Sequence, residues 1–183
     1  MELLDALSET FDHTAKIVGG VQPGQLDDPT PCTEWRTRQL LSHVMGVVAN
    51  MGRAARGEEL ADMNAYPLDD DFASQFRTEA ERTLVAWKTK QPTDEVNVGA
   101  GPMPAQVAMT INLVDTTTHS WDIARATGQD ATIPDELAGT ALTAAKGFVN
   151  DDIRNFVGIN PPVSVGADAG STEQLVAFMG RKP

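Results

Sequence analysis

The sequence predicts an all-α fold, a bundle of amphipathic helices. Apolar residues recur at spacings of three and four in five successive stretches. Glycine or proline punctuates nearly all of them, and the one alternating stretch, around Val96 and Val98, is brief. A chain of 183 residues with 41% hydrophobic and 22% charged residues has the balance of a globular protein, and residues 1–183 are expected to form one domain.

The first helix follows from Leu4, Leu7, Phe11, Ala15 and Val18, and Gly19-Gly20 ends it. Val21–Pro31 carries Pro23, Gly24, Pro29 and Pro31 and reads as a loop. A second helix is expected to begin near Thr33, with its hydroxyl as N-cap and Glu34 at the positive end of the helix dipole. Its apolar face is Leu40, Val44, Val47 and Met51, and it runs to about Arg56-Gly57. His43 falls three residues after Leu40 and four before Val47, so it points into or beside the core. Glu58–Leu68 is a polar connection. Asp69-Asp70-Asp71 then opens a third helix with the stripe Phe72, Phe76, Ala80, Leu84 and Trp87. Glu95–Pro102 is a turn or a short extended piece.

Pro104 suits the first turn of a fourth helix, whose inward side is expected to be Val107, Ile111, Val114, Thr118 and Ile123 or Ala124, with Gly128 as its stop. Pro134 opens a fifth, with Leu137, Ala141, Ala144 or Ala145, and Phe148. Asp151–Phe156 is a short helical turn, and Pro161–Ser171 is extended. Ser171 or Thr172 caps a last short helix, Glu173–Gly180, that packs back on the bundle.

Charge and composition exclude several function classes. Fourteen basic against 26 acidic residues give a formal net charge of −12, which repels phosphate backbones and anionic lipid. No apolar run approaches the roughly 20 residues that span a bilayer. The acidic N-terminus lacks the pattern of a signal peptide, and one cysteine, Cys32, forms no internal disulfide. A soluble cytoplasmic protein that binds neither nucleic acid nor membrane is expected.

The chemistry gathers in Ile111–Gly128. Asp115 precedes His119 by four residues, which sets a carboxylate and an imidazole on one helix face, one turn apart. With His43 from the second helix they make two imidazoles and one carboxylate. Three such ligands leave an open position on a divalent metal, as in catalytic zinc sites, and the same set resembles the face that holds non-haem Fe(II). Ligand type alone does not separate zinc from iron, nickel or manganese. The bland alternative is an exposed Asp115 and a core histidine bonded to a neighbour. Asp122 either accepts a hydrogen bond from a ligand histidine or pairs with Arg125. Cys32, just before a helix start, is either a reactive thiol or a small packed hydrophobe, the commoner case. His13 reads as a boundary residue, and Trp35 and Trp87 as core. No G-x-S-x-G elbow and no Gly-rich phosphate loop occurs, and no residue stands out as a general base.

Three segments carry a family resemblance. They are Thr30–Trp35 (TPCTEW) followed by Leu40-Leu41-Ser42-His43; Asp115–Gly128 (DTTTHSWDIARATG); and Leu175–Pro183 (LVAFMGRKP). They resemble the DinB-like metalloprotein superfamily, and more narrowly its actinobacterial branch related to the metal-binding domain of mycothiol-dependent maleylpyruvate isomerase. The resemblance implies a four-helix bundle with long crossover connections, here with short extra C-terminal helices. It also implies one divalent metal, zinc or nickel, on His43, Asp115 and His119. The isomerase has glutamate at the first position of the later pair, so the shorter Asp115 is a departure. It also carries an additional C-terminal domain, for which 183 residues leave no room, so the fold and metal site are expected to carry over and its isomerase activity is not. Two functions remain. One is a mycothiol-dependent transferase or isomerase, in which the metal activates the thiol against an electrophilic substrate. The other is a non-catalytic metal-binding or sensing protein acting as a homodimer or through a partner. An Fe(II) oxygenase is the third and weakest.

Overall fold

The structure is a computed structural model and describes residues 1–33 and 35–183. Four long helices supply most of the core: α1 (Leu3–Gly20), α2 (Thr37–Arg56), α3 (Phe72–Trp87) and α4 (Ala105–Ala126). Three shorter ones follow: α5 (Asp135–Phe148), α6 (Asp151–Val157) and α7 (Ser171–Phe178). The chain is therefore all-α, apart from one antiparallel pair of short strands, β1 (Glu95–Asn97) and β2 (Pro102–Pro104).

The long helices are neighbours in a closed ring, in which α1 packs on α3 and α4 and α2 packs on the same two. Side-chain pairings give their directions. Thr10 meets Thr117, and Gln129, just past α4, reaches the carbonyl of Ile17, so α1 and α4 run parallel. Phe11 stacks edge-on against Phe76, and Gly19 lies beside Ala73, so α3 runs the other way. The connection 57–71 is a crossover. It passes Arg53 at Glu59, Asn50 at Ala61 and Ser42 at Tyr66, running back along α2 before α3 begins. Asn50 clamps it in both senses, donating to the Ala61 carbonyl at 2.7 Å and accepting from the Ala61 amide at 3.0 Å.

The strap needs a bare helix surface beneath it. A Cβ on Gly46, in the middle of α2, would lie 2.1 Å from the carbonyl oxygen of Met63. That oxygen belongs to the backbone and has no rotamer to escape into, so only glycine fits.

Two helix starts differ from the sequence reading. α2 begins at Thr37 rather than near Thr33. Its first turn is closed by Gln39, whose Oε1 accepts the Arg36 amide at 2.8 Å, while Arg36 itself is extended and bridged to Pro29. Glu34, expected at the helix start, lies outside the described residues. α7 is closed by Glu173 accepting from the Gly170 amide, because the Thr172 hydroxyl is taken up by the backbone of Ile133.

α4 also departs from its simple stripe. Val107 is 39% exposed, whereas every residue from Thr116 to Ala124 is buried. The second half of α4 is the centre of the molecule, covered by α1 and α2 on one side and by α5 and α7 on another. Small hydroxyl residues make this tolerable because they bond within the core. Thr118 donates to the Val114 carbonyl, Ser120 to the Thr117 carbonyl, and Thr10 pairs with Thr117.

Gly46→Ala tests the strap. Helix propensity alone would favour alanine by about 1 kcal/mol. The clash with Met63 outweighs this, and a net loss of about 1–3 kcal/mol is expected, read as a lower denaturant midpoint. An unchanged or raised midpoint would show that the strap yields freely.

Candidate metal centre

His43 comes from the second turn of α2, and Asp115 and His119 from the buried half of α4. One ligand atom from each lies within 4.8 Å of the others. His43 Nε2 and His119 Nε2 each stand 3.6 Å from Asp115 Oδ1. That is too long for a hydrogen bond. It is close to the ~3.4 Å that separates two ligands of a tetrahedral cation with bonds of about 2.1 Å. Asp115 Oδ2 is buried with no hydrogen-bond partner, the one carboxylate oxygen among the described residues in that state. An orphaned carboxylate oxygen is costly in a protein interior, and a cation would satisfy it. The donor set therefore fits a divalent metal.

The outer nitrogens of both rings are spoken for. His43 Nδ1 donates to Asn64 Oδ1 at 2.8 Å, and His119 Nδ1 donates to Asp122 Oδ2 at 2.9 Å. In each case the acceptor fixes the tautomer and turns Nε2 toward Asp115. Asn64 is delivered by the strap, so the crossover connection is part of the site. The Trp35 indole is half-buried over both rings, its centroid 4.5 Å from that of His43 and 5.9 Å from that of His119. The imidazoles are nearly sealed, but the Asp115 side chain is 24% exposed, so the cluster meets solvent on that side.

Charge follows this geometry. Burial would raise the Asp115 pKa, but the two histidines hold it below its ordinary value. Burial would lower that of His43, but Asp115 and Asn64 hold it above. Protons and a metal thus compete for the same place.

Behind His119 lies a second layer. Asp122 is wholly buried, and Arg181 from the C-terminal tail grips it with Nε on Oδ1 at 3.2 Å and Nη2 on Oδ2 at 2.8 Å. Of the two roles open to Asp122, the structure shows the histidine acceptor. Arg125 lies over the Trp121 ring instead. The Cys32 thiol donates to Asp122 Oδ2 at 3.3 Å. Partial burial and the adjacent carboxylate push its pKa up to about 12, which favours the packed-residue reading of Cys32 over the reactive thiol. The dipole effect is absent because α2 starts five residues beyond it.

Sequence reasoning missed Asn64, the stacking of Trp35 and the role of Arg181. Asn64 sits in an aperiodic connection and carries no local signal. Arg181 lies in the LVAFMGRKP tail, one of the segments that carried the resemblance.

A family model described as the mycothiol maleylpyruvate isomerase N-terminal domain matches residues 7–124, a span holding all three cluster residues. Two uncharacterized proteins from two strains of Mycobacterium tuberculosis, MT0763 and Rv0738, are each 30% identical over 185 residues, covering 99% of this chain and 98% of theirs. Among solved structures, the mycothiol-dependent maleylpyruvate isomerase and a histidine-to-alanine mutant of it each superimpose with a TM-score of 0.55 at 20% identity, over 76% of this chain and 68% of that one. At that identity the likeness speaks for the fold, and it bears out the all-α, DinB-like architecture. Among the described residues no helix is long and apolar enough to cross a membrane.

Two outcomes follow. Asp122 has its pKa lowered to about 2 against burial, by the His119 hydrogen bond and by Arg181. A depressed carboxylate pKa contributes stability that is full above the unfolded value and fades as pH falls through the folded one. About 2 kcal/mol should therefore be lost by chelator-treated wild type as pH falls from about 4 to about 2, and not by Asp122→Asn. Parallel pH dependence of the two denaturant midpoints would contradict the pairing. Cys32 should alkylate about a hundredfold or more slowly in the folded protein than in urea at pH 8, followed by mass spectrometry. Equal rates would contradict its partly buried, hydrogen-bonded state.

Proposed function

The chain belongs to the mycothiol maleylpyruvate isomerase N-terminal domain family, and on that premise we propose that it is a divalent-metal protein of thiol chemistry. In this reading His43, Asp115 and His119 hold zinc or nickel, and mycothiol is the thiol brought to it. The observation that carries the reading is the convergence of His43 Nε2 and His119 Nε2 on Asp115 Oδ1, each at 3.6 Å, on a carboxylate whose other oxygen is buried and unpartnered. When bound, the cation supplies the positive charge that holds a thiol as its thiolate near neutral pH.

The chain's own part is positional. Asn64 and Asp122 take the Nδ1 protons of the two histidines and so aim their lone pairs. Trp35 keeps water from the faces of both rings, and the exposed edge of Asp115 marks the side from which a small thiol arrives. In this reading Cys32 is not the reacting thiol, since its Sγ donates to Asp122 and the adjacent carboxylate raises its pKa. The thiolate comes from a separate molecule and adds to an electrophilic carbon of a small substrate; a transferase keeps the new C–S bond and the adduct takes up a proton, whereas an isomerase breaks the bond again after rotation and regenerates the thiol.

The second reading is a non-catalytic metal-binding or sensing protein that acts as a homodimer or through a partner.

Elemental analysis separates these from the bland alternative. Wild-type protein is expected to hold stoichiometric divalent metal, and His43→Ala and His119→Ala to lose it. Full occupancy in both variants would overturn the site. Metal-loaded protein should either consume mycothiol in the presence of electrophiles, as a transferase, or isomerise substrate only when mycothiol is present, as an isomerase. Metal retention with neither outcome across a broad panel would favour the sensing reading.

A further inference from the structure

We infer, on the metal reading above, that Arg181 is a positioning residue of this centre: through the buried carboxylate of Asp122 it fixes His119, and it makes the C-terminal tail part of the site. Asp122 is 0% exposed. A carboxylate wholly out of water needs a countercharge and filled lone pairs, or it does not stay where it is. Arg181 supplies both with a two-pronged grip, Nε at 3.2 Å and Nη2 at 2.8 Å. Nη2 also reaches the Cys32 sulfur at 3.3 Å, which occupies the remaining side.

The guanidinium is itself held in place. Nη1 donates to the Met179 carbonyl at 2.7 Å. The end of α7 closes in a Schellman turn, with the Arg181 amide on the Val176 carbonyl at 2.8 Å and the Gly180 amide on the Ala177 carbonyl at 3.0 Å. Gly180 makes this turn at φ +82°, and a Cβ there would lie 2.5 Å from the Asn160 carbonyl oxygen. The last turn of the chain therefore delivers the arginine to one position. Without it Asp122 has no cation, and the acceptor that holds His119 Nδ1 is free to turn away. The ring then loses its aim, and Nε2 no longer faces Asp115. Lysine would restore the charge but not the fork.

The test is zinc affinity, measured on the full chain by competition with a chromophoric chelator, together with the melting temperature of the metal-free protein. Arg181→Ala is expected to weaken zinc binding about tenfold or more, as loss of a residue supporting a metal ligand does. Arg181→Lys should recover part of it. The double variant Arg181→Ala/Asp122→Asn should bind no more weakly than Asp122→Asn alone, because both changes act on His119 through one carboxylate. An arginine with only a structural role would lower the metal-free melting temperature and leave zinc affinity unchanged, and that result would overturn the inference. Should Arg181→Ala not fold, Arg181→Lys decides, since wild-type affinity in it would overturn the inference equally. Wild-type protein that binds no zinc would instead overturn the metal reading itself, an outcome distinct from equal binding across the series.

Discussion

Three ionisable side chains converge where two helices from distant parts of the chain cross, and almost everything else in the structure serves that convergence. His43 on α2 and the Asp115/His119 pair on α4 bring their ligand atoms within 4.8 Å of one another in a site largely closed to water. Charges and lone pairs gathered this tightly are costly unless something neutralises them. Protons do part of this, as the opposed shifts of His43 and Asp115 show. They leave Asp115 Oδ2 without a partner, and that residue of unsatisfied polarity is what a divalent cation would remove.

The supports of the site come from the least regular parts of the fold. The crossover strap is pinned to α2 by Asn50 and Ser42, admitted by the bare surface of Gly46, and sets Asn64 against His43. The tail after α7 brings Arg181 to Asp122, which holds His119. Each ligand histidine is thus aimed by a segment that is not part of either ligand-bearing helix. This division explains how an acidic chain keeps a buried carboxylate ionised. The cation it needs is carried in from the last turn rather than recruited from the helix surface, where Arg125 faces Trp121.

Much of this was legible in the sequence. The period of three and four located the long helices, because each buries one face, and the i, i+4 spacing of Asp115 and His119 put them together by helix geometry alone. What escaped had physical reasons. Val107 looked inward because a stripe was assumed, whereas the second half of α4 is covered on nearly all sides and its first turns are not. The start of α2 slipped because Gln39 closes the first turn in place of the hydroxyl of Thr33. Asn64 and Arg181 act through contacts 21 and 59 residues apart in the chain, which no local pattern encodes.

The central claim is that a metal sits where these three side chains meet, and anomalous diffraction at the zinc edge, from crystals grown with zinc, tests it most directly. The expected result is a peak about 2.0–2.2 Å from His43 Nε2, His119 Nε2 and a carboxylate oxygen of Asp115. A peak confined to surface carboxylates, with Asp115 Oδ2 still unpartnered or turned to a protein donor, would contradict it.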